Sequence, residues 1–262
     1  MNSRTGEMHD QAAGGRVHFQ WRNCFGDVIA GRFDVVIRDY WSKVVMPALS
    51  SAEAEVVYWA NSDEGGACFV HSDRIDQRAI TAAAMCLSIQ SIWERQLRRY
   101  LLTCVGYASE DSHLRELIQK ESWKKLQALF LKVRGVPMTA FLTYPDLDLL
   151  STLGNACRHG DGASATSLWN SHPELWPAYC RDPIVLDVAS IAGRKGAPSV
   201  SEMNIETSLL ERLVGAIASF WEMVGYLYHE SLRGKHCSLE ARLIRDRQKL
   251  ALAISHFNSL VD

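Results

Sequence analysis

Four polar residues have the spacing of a single helix face and are candidates for chemistry. They are separated by four, three and four positions, so a helix places them on one side. This polar stripe consists of Asp148, Thr152, Asn155 and His159. The predicted helix ends at Gly160, where its free carbonyl groups favour the protonated form of His159. An imidazole that is oriented by Asn155, with Arg158 beside it and Asp148 on the same face, can perform acid–base catalysis on a phosphodiester.

The same helix end also has a purely structural interpretation. A histidine and an arginine in the last turn, followed by glycine and aspartate, cap the free carbonyl groups of a helix without any catalytic role. The residue types and their spacing are compatible with both interpretations.

Two further blocks accompany this helix end in a fixed order. Trp93-Glu94-Arg95-Gln96-Leu97-Arg98 precedes Asn155-Ala156-Cys157-Arg158-His159-Gly160-Asp161-Gly162, and Pro173-Glu174-Leu175-Trp176 follows it. With these blocks, residues 75 to 230 resemble a bacterial protein family with the same block order and, more broadly, the HEPN superfamily of helical bundles. Many HEPN proteins are metal-independent ribonucleases of toxin–antitoxin, phage-defence and CRISPR systems. The superfamily motif is an arginine, often followed by asparagine, with a histidine four to six residues after the arginine.

The resemblance implies a homodimer that cuts RNA in a basic cleft between the two copies. Asn155 and His159 match the asparagine and histidine of the motif, and Gly154 occupies the position of its arginine. His159 would transfer a proton to or from the RNA while Asn155 orients it. The arginine that stabilises the charged transition state would then be Arg158, or Arg95 or Arg98 from the long helix. Further candidates for substrate contacts are Glu94, Gln96 and Asp161, although a solvated helix face also explains the first two.

A second function class remains open alongside the ribonuclease. It is a non-catalytic helical module that binds a protein partner of a defence system. Gly154 favours this module, and the polar stripe favours the enzyme. The enzyme requires an arginine guanidinium within reach of His159 in an open cleft, without a carboxylate partner.

The polar stripe belongs to one of several predicted helices. Apolar residues spaced by three and four predict helices over residues 25–49, 52–60, 72–105, 113–133, 146–160, 163–170, 208–232 and 238–260. Pro47 is expected to stop the first helix, and Ser72 to cap the long third one. The third helix would span the domain, as a central bundle helix does. The pattern therefore predicts an all-α, HEPN-like helical bundle.

Two segments are expected to lie outside the helical pattern. Residues 1–18 are polar and without apolar periodicity, which predicts a disordered tail. Residues 177–207 are irregular and turn-rich, which predicts a small irregular or β-hairpin insertion. We therefore expect one helical domain over residues 19–262 that contains this insertion.

Composition limits the possible partners. The 262 residues have a formal net charge of −2, so an RNA contact would need a local basic patch. Seven cysteines without a CxxC pair are typical of reduced, buried thiols in a cytosolic protein. The N-terminus has no signal peptide pattern, and no segment approaches the ~18 apolar residues of a membrane span. We expect a soluble, cytoplasmic protein without a membrane contact.

Common cofactor and catalytic motifs are missing from the sequence. It contains no GxxxxGKS or GxxxxGKT phosphate loop, no dinucleotide-binding GxGxxG, no HExxH and no GxSxG. We therefore expect neither a cofactor nor a metal ion, and any chemistry would be performed by side chains alone.

Overall fold

The computed structural model describes residues 15–106, 112–181, 185–186, 189–190 and 196–261. Within these residues the chain forms a bundle of helices, which confirms the predicted all-α fold class. The helices are α1 (Phe25–Ala30), α2 (Phe33–Tyr40), α3 (Met46–Ala60), α4 (Ala67–Val105), α5 (Ser112–Lys120), α6 (Trp123–Arg134), α7 (Tyr144–His159), α8 (Ala163–Ser171), α9 (Ala178–Arg181), α10 (Thr207–Ser231), α11 (Cys237–Lys249) and α12 (Ala251–Val261). Short 3-10 helices cover Met138–Ala140, Pro173–Leu175 and Val200–Glu202.

Helix α4 is the central element of the bundle. Its 39 residues span ~58 Å at 1.5 Å per residue. It packs against α1, α3, α5, α6, α7 and α10. The fully buried Trp93 lies in its second half, with ring centroids 6.1 Å from Trp123 of α6 and 5.7 Å from Trp221 of α10. In this tryptophan cluster (Trp93, Trp123 and Trp221), side chains of α4, α6 and α10 pack together in the core.

Pro47 does not stop a helix, and the prediction that it would is wrong. Helix α2 continues through a π-helical turn, Trp41–Val45, directly into α3. Proline lacks the N–H of the helical ladder, but its fixed φ is helical. The π turn before Pro47 replaces the regular i to i−4 register, so the helical path continues past the proline. The break occurs instead between α1 and α2, at Gly31 and Arg32.

Other helix boundaries also differ from the predicted ones. Helix α4 begins at Ala67, before Ser72, and follows Gly66, whose φ of 85° is left-handed. The single helix predicted over residues 113–133 is two helices, because the chain is extended at Ser122 between α5 and α6. The last predicted helix is divided at Leu250 into α11 and α12.

A buried ion pair joins the N-terminal part of the chain to the core. Asp27 of α1 and Arg134 of α6 approach to 3.3 Å, and their side chains are 0% and 2% exposed. Tyr100 donates a hydrogen bond to Asp27 at 2.9 Å. A disulfide connects Cys24 and Cys104 beside this pair, with a Cα–Cα distance of 5.3 Å. Two of the seven cysteines are therefore paired rather than separate in the structure.

The predicted tail and insertion lie partly outside the described residues. In the tail, Asn258 of α12 donates to the carbonyl of Arg16 at 2.9 Å and accepts from the amide of His18 at 3.2 Å. In the insertion, Val185–Leu186 pairs antiparallel with Ala189–Ser190. Residues 1–14, 182–184, 187–188 and 191–195 are outside the described part of the chain. No described helix is both long enough and apolar enough to cross a membrane.

Candidate functional site

Helix α7 carries the polar stripe and ends where the sequence predicts. Pro145 lies in its first turn, and Gly160 terminates it with a φ of 71°, a conformation that glycine adopts without strain. The amide of Gly160 donates to the carbonyl of Ala156 at 2.8 Å. Leu150 and Leu153 on the other side of the helix are fully buried. The apolar side thus fixes α7 on the core and leaves the polar stripe on a different face.

Asp148, at the start of the polar stripe, bonds to the neighbouring helix α6. Its carboxylate accepts hydrogen bonds from Trp123 Nε1 at 2.8 Å and from Gln127 Nε2 at 3.4 Å. Along the helix axis it lies ~16 Å from His159 at 1.5 Å per residue. The structure therefore does not bring Asp148 to the end of α7, and its contacts hold α6 and α7 together.

The last turn of α7 presents three polar side chains. Arg158 and His159 are exposed, and Asn155 is half-buried. Within the described residues, the side chains of Asn155 and His159 make no hydrogen bond. Arg158 makes one, in which its Nη2 donates to Gln90 Oε1 at 3.3 Å, and no described carboxylate forms an ion pair with it. The last turn therefore combines an exposed imidazole with an arginine that has no carboxylate partner in the described part of the chain.

Gln90 of α4 lies beneath this turn and is not among the candidate residues that the sequence indicates. Its side chain is fully buried. Besides accepting from Arg158, it donates through Nε2 to the carbonyl of Ser151 and to Glu94 Oε1, each at 3.3 Å. A signal for it exists in the sequence, because Gln90 is a polar residue within the apolar face formed by Cys86, Trp93 and neighbours of α4.

Gly154, at the position of the motif's arginine, is buried against Gln90. A Cβ at this position would overlap the Gln90 carboxamide and approach Gln90 Cγ to 3.1 Å. A side chain at this position, arginine included, would have to displace the end of the Gln90 side chain. The arginine of the helix end is therefore Arg158, which reaches the seam between α4 and α7 from a different position of the helix.

Helices α4 and α7 run antiparallel, so the position of a residue along α4 determines how far it lies from His159 at the end of α7. Gln90 lies opposite Gly154, and one turn earlier on α4 Cys86 interacts with Cys157. This interaction, with burial, raises the pKa of Cys86, and it lowers the pKa of Cys157. Arg98 lies two turns beyond Gln90, roughly 12 Å along α4, in the direction away from His159.

The remaining candidates from the long helix have separate surroundings. Arg98 donates to the carbonyl groups of Ile118 and Glu121 at the end of α5, at 2.5 and 2.8 Å, and lies 3.7 Å from Glu94. Arg95 is exposed, and its Nε donates to the carbonyl of Ser91 within its own helix at 3.1 Å. The structure therefore does not bring Arg95 or Arg98 to His159, and Glu94 reaches the helix end only through Gln90.

Gln96 lies on another side of α4, in the core. It accepts a hydrogen bond from Trp221 Nε1 at 2.9 Å and donates to the carbonyl of Phe33 at 3.3 Å. Only 7% of Gln96 is exposed. The structure thus places it between α2 and α10, outside the candidate site.

Asp161 connects the end of α7 to the end of the insertion. Its carboxylate accepts from the amide of Val200 at 2.7 Å and from Ser199 Oγ at 3.2 Å. Trp176 donates to the carbonyl of Ser199 at 2.9 Å, so the 3-10 helix Val200–Glu202 is fixed beside the site. Asp161 therefore holds the 3-10 helix Val200–Glu202 next to the end of α7.

A separate cleft of about 430 Å³ lies between α1, α10 and α11. His229 lines it, with an Nδ1 atom that has no hydrogen-bond partner within the described residues. Burial and the nearby Arg242 lower the pKa of His229, while Asp246 acts in the opposite direction. Sequence patterns do not indicate this cleft, because its residues come from helices that are distant along the chain.

Metal-site geometry in the described residues and similarity to known proteins give no further indication of function. Among the described residues, no three His, Cys, Asp or Glu side chains are grouped so as to hold a metal ion. Comparisons with models of protein families, with curated proteins and with solved structures find no match for this chain. The side chains at the end of α7 are therefore the basis for a functional hypothesis.

Proposed function

We propose that this protein is a cytoplasmic, metal-independent ribonuclease of the HEPN type that acts as a homodimer in a bacterial defence or toxin system. One observation carries the proposal: the last turn of α7 exposes His159 beside Arg158, whose guanidinium has no described carboxylate partner. RNA cleavage by the ribose 2′-hydroxyl requires proton transfer and a cation for the charge that develops on the phosphate. An imidazole and a guanidinium are suited to these two tasks.

Each side chain has a defined role in the proposed reaction. The 2′-oxygen attacks phosphorus while its proton passes to the neutral imidazole of His159. The bond from phosphorus to the 5′-oxygen breaks, and that oxygen takes a proton from the protonated His159 of the second copy. Arg158 stabilises the negative charge on the phosphoryl oxygens. Asn155, one turn before His159 and without a described hydrogen bond of its own, orients the imidazole when RNA is bound. The products are a 2′,3′-cyclic phosphate and a 5′-hydroxyl end.

A second candidate function is a non-catalytic helical module that binds a protein partner. Gly154 favours it, because the packing of Gln90 leaves no space for an arginine at the position where the HEPN motif has one. In this case the last turn of α7 is a surface contact, and substitution of His159 would change no reaction.

Cleavage of labelled RNA by the purified protein in excess EDTA separates the two functions. We compare the wild type with His159→Ala and Arg158→Ala. The matched controls are His113→Ala, an exposed histidine of α5, and Arg233→Ala, an exposed arginine after α10. The ribonuclease requires cleavage that persists in EDTA, is lost in both site variants and is kept in both controls. Equal cleavage by the wild type and His159→Ala, or cleavage that EDTA abolishes, would rule it out.

A further inference from the structure

We propose that Gln90 is the positioning residue for Arg158, and that Gly154 is a glycine so that Gln90 can reach this place. This inference rests on the proposed function, because it assigns the residue that holds the arginine of that site. Gln90 belongs to a different helix from the site and lies in none of the three sequence blocks. The geometry that supports it is the set of hydrogen bonds around one buried carboxamide.

The orientation of the Gln90 carboxamide follows from its partners. Its NH₂ group faces two atoms that only accept hydrogen bonds, the carbonyl of Ser151 and a carboxylate oxygen of Glu94. Its oxygen faces Nη2 of Arg158, which only donates. A flipped amide would place donor against donor and acceptor against two acceptors. The oxygen is therefore held toward Arg158 by the rest of the network.

Burial restricts the position of the Gln90 carboxamide oxygen. Gln90 is 0% exposed, so bulk water does not compete for its hydrogen bonds. Arg158, by contrast, is an exposed side chain on a long flexible stem. A single bond to a rigid acceptor uses one of its five N–H groups and leaves four for a phosphate. Gln90 thus restricts where the guanidinium lies without occupying the face that would bind RNA.

The neutrality of Gln90 is part of its role. A carboxylate at this place would form an ion pair with Arg158 and weaken its attraction for phosphate. The nearest described carboxylate in the network is Glu94, which contacts the NH₂ side of the amide. The Gln90 amide therefore lies between the Arg158 guanidinium and the Glu94 carboxylate, and the two charged groups do not pair in this network.

The test compares Gln90→Met with Gln96→Met in the RNA cleavage assay. Methionine has a similar volume and makes no strong hydrogen bond. Gln96 is a matched control, since it is a second buried glutamine of α4 that bonds to Trp221 and Phe33 in the core. We expect Gln90→Met to lower kcat by about 10- to 100-fold with little change in KM, as loss of positioning does. Gln96→Met is expected to keep kcat.

A double substitution distinguishes positioning from a general structural effect. If Gln90 acts through Arg158, Gln90→Met adds less than about twofold to the loss already caused by Arg158→Ala. If Gln90→Met fails to fold, Gln90→Glu serves as the second variant. It retains an acceptor for Arg158 but adds a carboxylate, and we expect it to lose cleavage while its thermal unfolding stays cooperative.

Each outcome has a separate meaning. Wild-type kcat in Gln90→Met, with cleavage lost in Arg158→Ala, overturns the positioning role and leaves the proposed function standing. Equal losses in Gln90→Met and Gln96→Met, or losses that multiply in the double variant, show a structural role and also overturn it. Equal cleavage by the wild type, Arg158→Ala and His159→Ala removes the proposed function and the role of Gln90 with it.

Discussion

The carboxamide of Gln90 occupies the space that a side chain at position 154 would need. Glycine in the middle of a helix is unfavourable by roughly 0.5–1 kcal/mol relative to alanine. Helix α7 nevertheless has Gly154 among its buried residues, where the Gln90 side chain of α4 lies against it. The absence of a side chain at position 154 therefore leaves the space that the Gln90 carboxamide occupies between the two helices.

Substitution of this glycine is predicted to destabilise the fold. In Gly154→Ala the new methyl group overlaps a buried amide, so we expect a loss of about 1–3 kcal/mol in the free energy of unfolding. The matched control is Gly215→Ala in α10, where a Cβ meets nothing within 4 Å. Removing that glycine should stabilise the helix by up to about 1 kcal/mol. Urea unfolding of both variants gives the two values, and changes of the same sign would contradict the close-approach argument.

The buried ion pair between α1 and α6 is predicted to be a major determinant of stability. Asp27→Asn leaves the charge of Arg134 buried without its partner, so we expect a loss of roughly 3–5 kcal/mol. The control is Asp39→Asn, which removes an exposed pair with Lys43, at 2.6 Å. Exposed pairs contribute little, so this loss should stay below about 1 kcal/mol. If the urea unfolding curves of the two variants had similar midpoints and slopes, the predicted difference in their free energies of unfolding would be disproved.

The stability of the fold is predicted to fall in mildly acidic solution because of His229. Its pKa in the folded protein is lowered from the ordinary histidine value of 6.5, chiefly by burial. The unfolded chain therefore binds a proton more readily, and stability is lost as the pH falls below 6.5 toward the lowered pKa. Melting temperatures measured from pH 7.5 to 5.5 should fall more for the wild type than for His229→Asn. The exposed-histidine variant His113→Asn should behave as the wild type, and an unchanged slope in His229→Asn would reject the assignment.

Asp161 is predicted to protect the amide of Val200 from hydrogen exchange. Loss of a hydrogen bond to a charged acceptor corresponds to about a tenfold faster exchange, so Asp161→Ala should show this at Val200. Asp161→Asn keeps an acceptor oxygen and should retain most of the protection. Exchange at Val200 that is equal in the wild type and Asp161→Ala would show that this contact is absent in solution.

The sequence predicted the features of the site that depend on neighbouring residues. The polar stripe follows from helical periodicity, and the end of α7 follows from the ability of Gly160 to adopt a positive φ. Both are local rules, so the helix and the set formed by Asn155, Arg158 and His159 could be found without a structure. The fold class was predictable for the same reason.

Features that depend on residues distant in the chain were not predicted. The Gln90–Arg158 bond and the Cys24–Cys104 disulfide join positions that meet only after the helices pack. Pro47 was assigned by a local rule that the π-helical turn before it overrides. Gln96 looked like a site residue because it belongs to the block from Trp93 to Arg98, yet successive residues of a helix point about 100° apart.

The tryptophan cluster allows the packing of the core to be followed by circular dichroism. The indole rings of Trp93 and Trp221 are 5.7 Å apart, at an interplanar angle of 56°. Rings this close, in a rigid and asymmetric environment, are expected to give a strong near-ultraviolet circular dichroism band. That band depends on fixed side-chain packing, whereas the far-ultraviolet signal reports mainly helix content. Comparing the two bands during unfolding distinguishes a loosened core from lost helices without any added label.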